Sequence, residues 1–319
     1  MSSVPRSAAP RTKVFVRDDG VTLRVVEGFR QRVRSAPKVS VQPKPEWNAA
    51  DYEAAAEKKL RQSRSLLGEL DRWGGSLDGA SVLEVGCGAG IDSLLFGLHP
   101  VDRVVGIDLE FPLYAPDDRG ERTRRLTRRV LEKVGVEEGP DATLRQRPVQ
   151  FLPMDATRMD LPDASVDLLV SRATLEHITP IEQALGEMAR VVRPGGLLRH
   201  GIDPFFWLKG CHKRGVVDIP WAHARLHPGE FRRFVAETEG EAKAARRSRH
   251  LETLNQLALR QWRALFEAGP FEILDWREPP SGLAQTVLEE HPDVPQTLLE
   301  GVTTRDLVRC SIKVWLRRR

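Results

Sequence analysis

The sequence predicts an α/β protein built on a doubly wound, mostly parallel seven-stranded sheet. Three observations carry that expectation. From residue 81 to residue 202 short apolar runs alternate with stretches of helical periodicity, the order that crossover connections between parallel strands produce. The first of these runs is followed at once by glycines at 86, 88 and 90 and then by a helical stretch, so the chain turns sharply where strand meets helix. At 319 residues and 40% hydrophobic content the chain can bury one large core with additions, and no apolar run approaches the roughly 18 residues of a membrane helix.

In chain order, residues 1–46 read as an N-terminal extension outside the core. They carry scattered prolines and one hairpin pattern, KVFVRDDGVTLRVV, turning at Asp19-Gly20. A core spanning 47–202 follows. Its leading helix runs from Trp47 to Leu70, with Asn48 or Asp51 as cap and Leu60, Leu67 and Leu70 on one side, and is stopped by Gly74 and Gly75. Ser81 to Val85 is the first strand, Ile91 to Leu98 a helix, and Arg103 to Ile107 the second strand, together one β-α-β unit. Thr123 to Val136 repeats Leu126, Val130, Leu131 and Val134 at helical spacing, which leaves the arginines between 122 and 129 on a solvated face.

Val149 to Leu152 and Val166 to Val170 are the third and fourth strands. A helix from Pro180 to Val192 is expected to open with Thr179 and Glu182 as a capping box, and Arg193-Pro194-Gly195-Gly196 to break it before a fifth strand, Leu197 to Ile202. Residues 203–270 are far longer than one crossover requires, so they read as a mostly helical insertion, a cap over the acceptor side, with helices near 230–237 and 251–267. Residues 271–319 complete the sheet with strands at Phe271 to Trp276 and Leu307 to Leu316.

Charge and cysteine content narrow the setting. The net charge of +4 is mild and its basic residues lie scattered among acids without an aromatic-basic repeat, which argues against a nucleic-acid partner without removing it. The three cysteines, Cys87, Cys211 and Cys310, are odd in number and far apart, and the first residues lack the apolar segment of a secretory signal, so a reduced cytoplasmic setting is expected. The oligomeric state is left open.

The glycine loop admits a ligand against bare backbone, but Gly86, Gly88 and Gly90 miss the dinucleotide spacing, since Ile91 stands where a last glycine belongs. The stretch Glu84-Val85-Gly86-Cys87-Gly88-Ala89-Gly90 instead resembles motif I of the class I S-adenosylmethionine-dependent methyltransferases. Further pieces follow in order. VVGIDLE ends the second strand with Asp108 and Leu109, FLPMDA places Asp155 and Ala156 after the third, VDLLVSRATLEHI matches the fourth-strand stretch including Ser171, and RVVRPGGLL the turn into the fifth. The resemblance implies S-adenosylmethionine as cofactor and S-adenosylhomocysteine as product. It places Glu84 toward the methionine ammonium, Gly86, Cys87, Gly88 and Gly90 along the methionine chain, Asp108 on the ribose hydroxyls, Leu109 and Ala156 beside the adenine, and Asp155 at its amino group. An acid beside the loop suits an ammonium where it would repel a pyrophosphate.

Methyl transfer needs alignment and, for a hydroxyl acceptor, a base at the carboxyl ends of the fourth and fifth strands. His177, His200 and Asp203 are the candidates there. In a regular strand residues 200 and 203 point to opposite faces, so a His200/Asp203 pairing needs a bend at Gly201. The aromatics Phe205, Phe206, Trp207 and Trp221 with His223 either form the insertion's own core or line an acceptor pocket. No ligand spacing supports a metal. Trp47 and Tyr52 either close over the cofactor or pin the leading helix. The expected activity is methylation of a hydroxyl, with an amine second, on a small molecule or saccharide. The rivals are an RNA methyltransferase, against which Ser171-Arg172-Ala173-Thr174 replaces the element that grips a flipped base in many such enzymes, and a non-catalytic cofactor-binding scaffold.

Overall fold

Nine strands organise the chain: β1 (Val14–Val16), β2 (Thr22–Arg24), β3 (Ser81–Val85), β4 (Arg103–Asp108), β5 (Val149–Pro153), β6 (Val166–Arg172), β7 (Val192–Ile202), β8 (Phe271–Arg277) and β9 (Ile312–Arg318). The structure, a computed structural model, describes residues 13–35 and 47–319. The remainder of the expected extension lies outside the described residues. The described chain divides into two compact units, one of residues 47–204, 254–279 and 311–319, the other of residues 13–35, 205–253 and 280–310.

The first unit holds a seven-stranded sheet in the order β5-β4-β3-β6-β7-β9-β8. Pairing is parallel from β5 through β7, and β9 is antiparallel to both β7 and β8. Strands buried on both faces must be apolar on both, which is why β3 reads Val-Leu-Glu-Val with every one of these side chains buried. On one face Leu83, Val85, Leu169 and Leu198 pack with helices Ile181–Val191 and Leu259–Ala268. On the other, Val82, Val104, Leu168 and Trp315 meet Leu70 of helix Ala49–Arg72 and Phe96 of helix Ile91–Phe96. Glu69 fastens the long helix to the sheet, accepting from Trp315 Nε1 at 2.8 Å and from Arg277 at 2.7 Å.

Several element ends differ from those expected. The leading helix takes Asn48 as its cap, in a reciprocal box with Asp51. The arginine-faced helix begins earlier, at Asp118, because the Asp117 carboxylate accepts from the Arg119 and Gly120 amides. Thr179 caps nothing. Pro180, after a cis peptide bond, is itself the extended residue before helix Ile181–Val191, and Arg193-Pro194-Gly195-Gly196 is absorbed into β7. The expected strand at 307–316 starts at Ile312, since Thr304–Val308 is a helical turn capped through Asp306. The helix expected over 251–267 is two helices, Glu241–Glu252 and Leu259–Ala268, and only the second belongs to the sheet unit.

The second unit corrects the reading of the hairpin as an appendage outside any core. β1 and β2 pair as expected, turning through Gly20 at φ +85°, but Phe15 and Leu23 are buried. Phe15 meets Phe234 edge-on with ring centroids 5.4 Å apart, the Asp18 amide donates to Glu230, and the Val26 amide donates to the Asp218 carbonyl. The hairpin thus shares a core with residues 205–253, and residues 280–310 join them instead of the sheet. Phe205, Phe206, Trp221 and His223 are buried within this unit, where His223 Nε2 lies 3.1 Å from the Trp207 carbonyl oxygen. No helix among the described residues is long and apolar enough to cross a membrane.

Phe266 is fully buried, stacked on His200 and edge-on to Trp276. Phe266→Ala should therefore cost about 3–5 kcal/mol of stability, read as a lowered denaturant midpoint with little change of slope.

Candidate active site at the carboxyl ends of the sheet

Parallel strands deliver their following loops to one edge, and β3, β4, β5, β6 and β7 bring the marked residues there. After β3 the chain passes Gly86, Gly88 and Gly90 with φ of +71°, +52° and +69°, a left-handed path that side chains resist. Two of these glycines are required by the protein's own packing: a Cβ on Gly86 would lie 2.2 Å from Thr174, and one on Gly90 2.3 Å from the Phe151 ring. Gly88 is different. Its Cβ would meet nothing nearer than Asp108 Oδ2 at 4.0 Å, so it opens on free space beside a carboxylate.

Asp108 ends β4 and holds the loop in place. Its Oδ2 accepts from the Gly88 amide and its Oδ1 from the Leu109 amide, each at 2.7 Å. Oδ1 also accepts from the Glu110 amide at 3.4 Å, while Oδ2 keeps a further lone pair for a ligand hydroxyl. Leu109 is 73% exposed, an apolar side chain with room against it for a flat ring. Asp155 follows β5 in an exposed turn where its Oδ1 accepts from the Thr157 amide and hydroxyl at 2.8 Å, and these hydrogen bonds lower its pKa. Ala156 is buried beside it. Cys87 is buried, and that burial, reinforced by the Glu84 and Asp108 charges, raises its thiol pKa far enough to keep the sulfur protonated and inert.

Glu84 sits in the second half of β3, 7% exposed, and accepts from Ser93 Oγ. Burial raises its pKa, while Ser93, Lys59 and Arg172 pull the other way. Those neighbours were missed in the sequence. Lys59 comes from the long helix, with its ammonium 3.3 Å from Asp92 and its pKa lowered to about 8 by desolvation and by the Arg172 charge; Arg172, at the end of β6, pairs with the same Asp92. Two anions and two cations therefore gather beside the loop. Single residues on a helix, a strand end and a helix start carry no sequence spacing that would have linked them.

The expected bases separate. His200 is wholly enclosed on β7, stacked on Phe266 with ring centroids 5.7 Å apart and joined to Ser171 Oγ at 2.8 Å through Nδ1. Burial, with the Arg199 charge, lowers its pKa to about 3, so it stays neutral inside the core and is corrected from catalytic candidate to core residue. Ser171 is corrected with it: its side chain is buried and spent on His200 instead of facing a cofactor. His177 stands exposed on the turn Leu175–His177, crowded enough that desolvation lowers its pKa. Asp203 lies just past β7, and its amide donates to Glu176 Oε1 at 3.3 Å. Glu176, which was not singled out, is its neighbour. Tyr52 is held between the Trp47 ring, 5.1 Å away, and the Arg125 guanidinium, also at 5.1 Å, which favours pinning over closure.

Residues 83–199 match a family model described as a methyltransferase domain. The chain is 35% identical over 118 residues to a phosphatidylethanolamine N-methyltransferase of Cereibacter sphaeroides, covering 37% of this chain and 48% of that one. It is 28% identical over 205 residues to a malonyl-[acyl-carrier protein] O-methyltransferase of Geobacter sulfurreducens, covering 62% and 65%. A solved S-adenosylmethionine-dependent methyltransferase from Mesorhizobium loti superimposes with a TM-score of 0.45 at 15% identity, over 84% of this chain and 100% of that one. The chain spans less than half the length of several curated relatives it matches. Residues 83–199 are thus similar to a methyltransferase domain, for which the sequence implies S-adenosylmethionine as cofactor.

The geometry suits that cofactor. A free space above Gly88 with carboxylates at Glu84, Asp108 and Asp155 matches a ligand with an ammonium, a diol and an amino-purine. Two checks follow. Gly90→Ala, which drives a methyl group into the Phe151 ring at positive φ, should lower stability by about 1–3 kcal/mol, measured by chemical denaturation. Because the folded pKa of His200 lies below its unfolded value, its contribution to stability is present above about pH 6.5 and is lost as pH falls toward about 3. Thermal midpoints of His200→Gln should accordingly fall less steeply than those of the unsubstituted protein between pH 6.5 and 4.

Proposed function

We propose that the chain transfers a methyl group from S-adenosylmethionine to a hydroxyl of a small molecule or saccharide, with an amine as the second choice. The observation that carries this reading is the succession of acids at one sheet edge, Glu84 on β3, Asp108 ending β4 and Asp155 after β5, around the open backbone at Gly88. In it Glu84 takes the methionine ammonium, and Lys59 and Arg172 the methionine carboxylate. Asp108 takes the ribose hydroxyls, Asp155 the adenine amino group, and Leu109 and Ala156 the purine faces. When bound, S-adenosylmethionine supplies a methyl group already activated by its sulfonium. The chain's task is then to align the acceptor and receive its proton. The relatives' names include both an O- and an N-methyltransferase; the hydroxyl reading is supported by Asp203 and His177 at the ends of β6 and β7, where a base is needed. A cytosolic location is part of the same proposal, resting on three cysteines that form no disulfide among the described residues.

Calorimetry with S-adenosylmethionine and S-adenosylhomocysteine tests the reading; failure of both to bind at millimolar concentration overturns it. Asp108→Ala should weaken both ligands by about 1–3 kcal/mol, roughly tenfold or more, through the lost charge-assisted hydrogen bonds. Lys59→Met should weaken S-adenosylhomocysteine about tenfold while leaving 5′-methylthioadenosine, which has no carboxylate, unchanged.

A further inference from the structure

Glu176 is the most enclosed acid at the sheet edge. It sits on the turn after β6, is 2% exposed, and uses Oε1 to accept from the Asp203 amide past the end of β7. Its Oε2 is equally buried and has no hydrogen-bond partner. The turn is rigidly placed. Asn255 donates through Nδ2 to the Leu175 and Ile178 carbonyls at 2.6 and 2.8 Å, and Thr174 abuts Gly86 of the glycine loop. A buried oxygen left without a partner is costly, and a carboxyl there is tolerated when it is neutral or when a ligand completes it.

We propose that Glu176 stays protonated in its enclosed place at the carboxyl ends of β6 and β7 while Asp203 beside it carries the charge, and that Asp203 receives the proton released by the acceptor hydroxyl. The inference rests on the methyltransferase reading. Burial and the Asp203 charge both raise the pKa of Glu176 well above that of an ordinary carboxyl, so at neutral pH Glu176 keeps the proton and Asp203 carries the charge. Asp203 is the charged group that bears on Glu176; His177 is its neighbour on the turn, and Asn255 brings only neutral hydrogen bonds. In the transfer the acceptor oxygen forms its bond to the methyl carbon, the S–C electron pair passes to sulfur, and the hydroxyl proton moves to Asp203. It leaves to solvent once the product departs. Glu176 is then a positioning residue, holding the Asp203 backbone and setting the basicity of its carboxylate.

The test needs no acceptor. Sinefungin has a carbon in place of the sulfonium sulfur and an amine in place of its methyl group, and S-adenosylhomocysteine lacks that amine. Calorimetry at pH 7 in two buffers of different ionisation enthalpy counts the protons exchanged on binding. With the full chain, sinefungin should release about one proton more than S-adenosylhomocysteine, because an ammonium beside the pair drives out the Glu176 proton. Glu176→Gln keeps the oxygen that accepts from Asp203 but has no proton to lose, so the extra release should vanish while S-adenosylhomocysteine affinity stays within about twofold. Asp203→Asn should reduce the preference for sinefungin over S-adenosylhomocysteine about tenfold. Equal proton release by the unsubstituted protein and Glu176→Gln, or an unchanged preference in Asp203→Asn, overturns the pair while S-adenosylhomocysteine binding leaves the cofactor reading standing. Binding of neither ligand to the unsubstituted protein overturns both.

Discussion

Parallel pairing from β5 to β7 is the constraint on which the remainder depends. Strands that run one way must end at one edge, so each crossover delivers its following loop to the same place. The glycine loop, Asp108, Asp155, the Glu176 turn and Asp203 are neighbours for this reason alone, although they span residues 84 to 203. Parallel pairing also requires both sheet faces to be covered, and the helices that cover them bring Lys59 and Asp92 to the loop from one side. The charge cluster at the site is a by-product of burying the sheet.

Burial divides the ionisable groups at this edge into two kinds. Asp108 and Asp155 keep partial exposure and backbone donors, which leaves oxygen atoms to accept from polar ligand groups. Glu84 and Glu176 are enclosed and differ in what surrounds them: Glu84 has Lys59, Arg172 and Ser93 to offset its desolvation, whereas Glu176 has only a backbone amide and the like charge of Asp203. Burial raises the pKa of both, and only at Glu84 do neighbouring cations oppose the rise. His200 shows the limit of the effect, since a ring stacked on Phe266 has no route by which to carry charge.

Much of the fold was legible because its signals are local. Apolar runs of four or five residues, punctuated by Gly86 or Gly74-Gly75, report strands and helix ends directly, and Asp19-Gly20 reported its hairpin turn. The errors came where a local signal had a tertiary competitor. Thr179 and Glu182 have capping spacing, but the chain enters helix Ile181–Val191 from Pro180; Arg193-Pro194-Gly195-Gly196 has turn chemistry, but pairing with β6 draws it into β7. Alternation at 307–316 suggested a strand whose first half is claimed by the Asp306 cap.

By itself the sequence determined the parallel sheet, the glycine loop and the order of the acids that follow it, since each is written in a few contiguous residues. Which side chains meet was decided only in three dimensions. Ser171 and His200 lie side by side in the register of β6 and β7 and are joined there, Oγ to Nδ1, inside the core. Glu176 and Asp203 meet one step further along the same two strands, beyond their ends, where no spacing rule connects them. The hairpin at 14–24 likewise found its core in residues 205–253, remote in sequence, because its apolar face had nothing local to bury against.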